Sequence, residues 1–237
     1  MRSRVADTST CSDADKLAAE AARRIAEYSL ERLQKARFFT IGLAGGSTPQ
    51  KTYERLAEMK LDWDRWRFFF GDERCVRPDD PDSNFAMAEQ TFFSKLAISP
   101  VQVWRMEGEA EDPEAAARRY GRYLPDALDL LLLGMGEDGH TASLFPGSAA
   151  AGEKVERVLA VTGPKPPPRR LTITPAVITS ARKVIMLVSG ESKAEMVRKV
   201  WSGPEDPWPW DLPAKYAAFF VQSGCEWLLD EAAAGKK

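Results

Sequence analysis

With 237 residues, 44% hydrophobic and 29% charged, the chain is long enough to bury a sizeable core within one large α/β domain. Its formal net charge of −2 gives no footprint for nucleic acid, yet allows a local cationic pocket that takes a small anion. Cys11, Cys75 and Cys225 are widely spaced and form no CxxC or Cys/His pattern, which excludes a zinc motif and points to reduced thiols in a cytoplasmic protein.

Residues 1–10 are polar, carry Arg2 and Arg4 and lead into no apolar run, so no secretory leader is expected. Residues 1–12 are expected to form a flexible tail, and residues 13–237 a single domain. Over 13–34, Leu17, Ala21, Ile25 and Tyr28 recur at spacings of three and four and predict a helix. A strand over 38–43 and a helix over 49–59 follow. Next come a strand over 66–70, a helix over 84–95, a weak strand over 101–104 and a helix over 113–124. The apolar run 128–133 is a strand, as are 158–162 and 183–189. A helix over 193–201, a strand over 217–221 and a helix over 225–234 complete the series. No run approaches the ~20 apolar residues that cross a bilayer, so no membrane partner is expected.

Strands alternating with helices predict an α/β fold, a mainly parallel sheet with helices on both faces. Two Pro-rich stretches, 164–168 and 204–213, read as stiff connections.

Four polar clusters each follow a predicted strand: Gly45-Gly46-Ser47-Thr48, Gly71-Asp72-Glu73-Arg74, Gly136-Glu137-Asp138-Gly139-His140 and Gly190-Glu191-Ser192-Lys193. In an open parallel sheet, ligands bind outside the carboxyl ends of the strands. If the four strands are neighbours, the clusters share one crevice. The glycines and hydroxyls of the first suit an anion, with Thr48 capping a helix and Pro49 at its first position. The same tetrapeptide also suits any plain strand-to-helix turn. Arg74 suits phosphate or a developing oxyanion, and Asp72 and Glu73 put two carboxylates beside it. His140 is the sole histidine, so imidazole chemistry at neutral pH must use it; Asp138, two residues earlier, is placed to orient it. Lys193 opens a helix, an unfavourable place for a cation unless an anion shares it. Lys165, Arg169 and Arg170 flank the first Pro-rich stretch. The run 134–139 fits G-x-G-x-x-G, but Asp138 sits at the would-be phosphate turn and Pro146-Gly147 leaves no room for the helix that a dinucleotide site needs.

The segments LAGGSTPQ (43–50), FFFGDERCVRPDDPDSN (68–84), LLLLGMGEDGHTASLFPG (130–147), PKPPPRRLTIT (164–174), VSGESKAEM (188–196) and LPAK…WLLDEAAA (212–234) together resemble the 6-phosphogluconolactonase family, within the wider glucosamine-6-phosphate isomerase/deaminase-like group. The resemblance covers nearly the whole chain and is carried most specifically by GMGEDGHTASLFPG. It implies a Rossmann-like α/β fold and hydrolysis of 6-phospho-D-glucono-1,5-lactone, the second step of the oxidative pentose phosphate pathway. It implies a phosphosugar lactone as partner, with no cofactor, no metal and no obligate protein partner. It implies His140 as the base, Asp72 and Asp138 as nearby acidic positions, and Gly45, Gly46, Ser47, Arg74 and Lys193 as ligand contacts, with Arg170 a further one. A sugar-phosphate isomerase/deaminase is the first alternative. That family follows the histidine with an Asn-Glu-Pro-type run, where this chain has Ser143-Leu144-Phe145-Pro146. A non-catalytic sugar-phosphate binding protein is the second.

Overall fold

The structure, a computed structural model, describes residues 7–96, 98–203, 209–221 and 224–236. The chain opens with strand β1 (Asp7–Cys11) and helix α1 (Ala14–Leu33), then β2 (Phe39–Leu43), α2 (Ser47–Ala57), β3 (Trp66–Phe70) and β4 (Asp72–Arg74). Short helices α3 (Asn84–Ala88) and α4 (Ser94–Leu96) are joined by one π-helical turn, Glu89–Phe93. Next come α5 (Pro113–Tyr123), β5 (Leu130–Gly134), β6 (Val158–Thr162), β7 (Arg169–Ile173), α6 (Pro175–Ser180) and β8 (Val184–Val188). The chain ends with α7 (Ala194–Val200), α8 (Ala214–Phe219) and β9 (Cys225–Asp230).

Six strands form one sheet in the order β1-β9-β8-β5-β2-β3, every neighbouring pair parallel. A parallel sheet is covered on both faces, so its strands are continuous apolar runs. Leu130, Leu131, Leu132 and Leu133 in β5 and all five residues of β8 are buried. Each such aliphatic side chain contributes ~1.5–3 kcal/mol on leaving water. Helices flank the sheet. Asp13 caps α1 by accepting from the Lys16 amide at 2.8 Å, and Asp112 caps α5 through the Ala115 amide at 2.9 Å. A smaller antiparallel sheet, β4-β7-β6, sets Arg74 directly opposite Arg170.

From β2 the chain steps outward to β3, then returns to the other side of β2 for β5, β8 and β9. The order therefore reverses between β2 and β5, and the four strands that precede the polar clusters are consecutive neighbours. The crevice that opens at such a reversal is where an open α/β sheet binds its ligand.

Several expectations change. Residues 217–221 are not a strand: α8 runs Ala214–Phe219. Residues 225–234 are not a helix: Cys225–Asp230 form β9 between β8 and β1. Leu, Glu and the alanines that follow favour a helix locally, but pairing with two strands and burial of all six residues outweigh that. Glu226 is tolerated there because Arg24 and Lys183 pair with it. Part of the expected tail is ordered, with Asp7–Cys11 forming the edge strand beside β9, while residues 1–6 lie outside the described residues. Residues 101–104 make only a bridge from Val103 to Phe68 after a 3₁₀ turn, Pro100–Gln102. Strand β7 lies where a loop was expected, and β6 joins it in the antiparallel sheet. The 204–208 part of the second Pro-rich stretch lies outside the described residues. Among the described residues no helix is long and apolar enough to cross a membrane.

Candidate active site

A cavity of about 270 Å³ opens at the carboxyl ends of β2, β3, β5 and β8. Gly45, Gly46 and Ser47 line it from the β2 side, Asp72 and Arg74 from β4, His140 from the loop after β5, and Lys193 from the loop after β8. Lys165 and Arg170 line it from β7 and the strap before it. The residues that the resemblance implied are brought here, with Asp138 standing against His140, whereas Glu73 and Arg169 are not.

The β2 loop is held by Tyr53, whose hydroxyl donates to the Ala44 carbonyl and accepts from the Ala44 amide, each at 2.9 Å. Helix α2 begins at Ser47, earlier than expected. Its N-cap is Gly46 at φ 104°, and no side chain caps it. Thr48 is therefore not the cap; its hydroxyl meets Ser189 Oγ at 3.1 Å, tying the β2 and β8 loops together. The first amides of this eleven-residue helix remain for an anion.

His140 Nδ1 lies 2.5 Å from Asp138 Oδ1. Burial raises the Asp138 carboxyl, but the side-chain and backbone hydrogen bonds from His140, with the charges of His140 and Lys165, together outweigh it and hold the group well below the usual carboxylate range. An ionised Asp138 accepts, so Nδ1 carries the proton and Nε2 presents a lone pair. Gly136 makes this arrangement sterically feasible: a Cβ there would fall 2.0 Å from His140 Nδ1 and 2.5 Å from Asp138 Oδ1. The loop then passes through Ala142 at φ 48°, a left-handed backbone that places local strain beside the imidazole.

Asp72 is buried and held at both oxygens. The Asn84 amide donates to Oδ1 at 3.1 Å and the Ser143 hydroxyl to Oδ2 at 2.6 Å. Asn84 packs so closely on the β2 loop that a Cβ at Gly45 would lie 1.9 Å from its Oδ1. The fully buried Ser143 is committed to Asp72, which agrees with the absence of a nucleophile elbow. Glu73 does not reach the cavity. It accepts from the amides of Arg74, Asn84 and Phe85 and from Ser83 Oγ, anchoring β4 to α3.

Among the described residues Arg74, Lys165, Arg170 and Lys193 form no ion pair, and the buried Nε of Arg74 has no partner. Burial lowers the Lys193 ammonium, and burial together with Arg74 lowers the Arg170 guanidinium. Arg170 donates Nε to the Pro167 carbonyl at 3.0 Å and Nη2 to the Lys165 and Pro166 carbonyls, pinning the strap and leaving Nη1. Arg169 lies outside the cavity lining. Cations without ion pairs beside uncapped helix amides make a surrounding that favours an anion.

Sequence reasoning did not single out Asn84, Gly136 or the hydroxyl role of Ser143. All three lie in segments that carry the resemblance, but only the distances show what each one holds. The run 134–139 turns straight back, with the Gly136 amide bonded to the His140 carbonyl at 2.8 Å, and opens no helix.

An α/β fold whose strand order reverses beside a cavity lined by an oriented imidazole, cations and uncapped helix amides has the arrangement of an enzyme site for a small ligand. The chain belongs to the family described as glucosamine-6-phosphate isomerases/6-phosphogluconolactonase, whose profile matches residues 12–221. A 6-phosphogluconolactonase of a Synechocystis species is 39% identical over 206 residues, 82% of each chain. The solved 6-phosphogluconolactonase of Trypanosoma brucei is 31% identical with a TM-score of 0.83, over 97% of this chain and 98% of that one. A solved monomeric glucosamine-6-phosphate deaminase reaches the same TM-score at 28% identity, over 98% of this chain and 100% of that one. The fold therefore does not separate the two activities; the site residues must.

Proposed function

We propose that the protein hydrolyses 6-phospho-D-glucono-1,5-lactone to 6-phosphogluconate, the second step of the oxidative pentose phosphate pathway. The observation that carries this reading is His140, oriented by Asp138, facing unpaired cations across one cavity. The imidazole packs against the Phe145 ring.

A lactone is an activated ester, so base-assisted water attack suffices. His140 Nε2 removes a proton as the water oxygen bonds to C1. Asp138 steadies the imidazolium through Nδ1–H. The tetrahedral intermediate places negative charge on the former carbonyl oxygen, for which Arg74 or backbone amides are the available donors. Collapse breaks the bond from C1 to the ring oxygen, which takes the proton back from Nε2. The 6-phosphate is held by the first amides of α2, around Gly45, Gly46 and Ser47, and by Lys193, with Arg170 keeping the strap and Lys165 in place. Asp72, with both oxygens already accepting, is an oriented acceptor for a sugar hydroxyl. No step requires a metal or organic cofactor, and the cavity suits a small anionic partner. The free thiols of Cys11, Cys75 and Cys225 fit a cytoplasmic setting.

The test is lactone hydrolysis measured over the spontaneous background, with glucono-1,5-lactone as the unphosphorylated control. A large preference for the 6-phosphate form is expected. A rate no better than background, or release of ammonia from glucosamine 6-phosphate, overturns the reading.

A further inference from the structure

His140 is tethered at one atom. The bond from Nδ1 to Asp138 restrains the ring, but one hydrogen bond tolerates a range of angles and the outer torsion of an imidazole is broad, so the ring plane keeps some freedom. A base whose Nε2 must meet one point in the cavity needs a second constraint.

Phe145 lies where that constraint is needed. Its ring centroid is 5.0 Å from that of His140, with the planes tilted by 43°. The ring is buried. Gly163, at the start of the strap, sits so close that a Cβ there would come within 2.2 Å of Phe145 Cε2 and 2.4 Å of Cζ. The Arg170 guanidinium, tied to the strap carbonyls, lies 5.9 Å from the same ring centroid. One aromatic ring is thus wedged between the loop that carries the base and the strap that carries the cations.

We propose that Phe145 is a positioning residue: its ring, braced by Gly163, sets the plane of the His140 imidazole and so aims Nε2 into the cavity. A tilted aromatic contact favours a defined ring orientation. Phenylalanine also brings no titratable group to compete with Asp138 for Nδ1. The proposal rests on the lactone hydrolysis argued above and acts wholly through His140.

Two variants and two readouts test it. Phe145→Leu removes the flat face. Gly163→Ala keeps the ring but displaces it, and Gly163 has no left-handed backbone that would itself oppose alanine. Each is expected to lower kcat by about 10- to 100-fold with KM within about threefold, the scale of a misaimed catalytic group. In the Phe145→Leu background, Gly163→Ala should change kcat by less than about twofold, because its clash partner is gone. The second readout is proton NMR of the unliganded protein, where the sole histidine makes the ring signals unambiguous. Gly163→Ala should shift or broaden the His140 signals. A purely structural ring predicts instead a lower Tm, unchanged kcat and additive effects. Wild-type kcat in Gly163→Ala, or His140 signals that do not move, overturns the proposal, and this arm stands even if Phe145→Leu fails to fold. A wild-type protein with no activity over background would refute the reaction, while the NMR comparison would still decide the positioning.

Discussion

Gly136→Ala is the sharpest test of the site, because it adds one methyl group and changes no charge. The new Cβ would lie 2.0 Å from His140 Nδ1, 2.2 Å from Cε1 and 2.5 Å from Asp138 Oδ1. Side-chain Cβ atoms essentially never approach others closer than 3.0 Å, so the imidazole must retreat by about 1 Å at least. The 2.5 Å bond to Asp138 cannot survive that movement intact. Misplacing a catalytic group by about 1 Å lowers a rate by ~10²-fold, equivalent to ~2.7 kcal/mol of barrier. Overpacking should lower stability by ~1–3 kcal/mol. The backbone itself is no obstacle, since Gly136 is not left-handed. KM should change little, because the α2 amides and Lys193 are untouched. The assay is steady-state lactone hydrolysis corrected for spontaneous opening, paired with a thermal melt. A folded Gly136→Ala protein with kcat within twofold of wild type would refute the dyad geometry.

His140→Asn should lower turnover by ~10²–10⁴-fold with little change in Tm, and a variant retaining near wild-type turnover would remove the imidazole from the mechanism. Lys193→Ala should weaken kcat/KM strongly on the phosphorylated lactone and far less on glucono-1,5-lactone; equal losses on both would deny the phosphate contact. Glu73→Gln should lower stability by ~1–3 kcal/mol in a denaturant titration. Burial raises the Glu73 carboxyl and its four donors pull the other way, so an amide NH₂ would have to face two of those donors at either oxygen position. Glu20, hydrogen-bonded to Arg23 and Arg24, is lowered from 4.5 to about 2. Its stabilisation is present above the unfolded value and is lost as pH falls from about 4.5 towards 2. The pair is partly exposed, so the loss is below ~1 kcal/mol, and Glu20→Gln should flatten the Tm–pH curve over that interval.

The positions of the four clusters were legible because a parallel strand buried on both faces must be continuously apolar. Its end shows as a sudden polar run, as at Leu133 to Gly134 or Val188 to Ser189. His140, Arg74 and Lys193 stood out for the same reason, each being a charged or titratable group just past such an end. The last two elements were not legible. Cys225–Asp230 has helix-forming residues, and its strand state comes from β8 and β1, the latter some 220 residues earlier in the chain. Strand β7 was hidden behind a proline run, because its pairing with β4 and β6 leaves no periodic mark in so short a segment.

The sequence by itself determined the parallel α/β plan, the order of the polar loops and the chemistry each loop carries, since these depend on local composition and on periodicities of two and 3.6 residues. Only the tertiary structure decided which partners hold those groups. Ser143 reaches Asp72 across 71 positions, Thr48 meets Ser189 across 141, and Gly163 braces Phe145 through a contact measurable only in space. It also decided that Arg170 rather than Arg169 faces the cavity, because side chains alternate along β7 and the register with β4 sets which face is inward. Such contacts arise from strand order and register, which are cooperative properties of the whole sheet and leave no signature in any single segment.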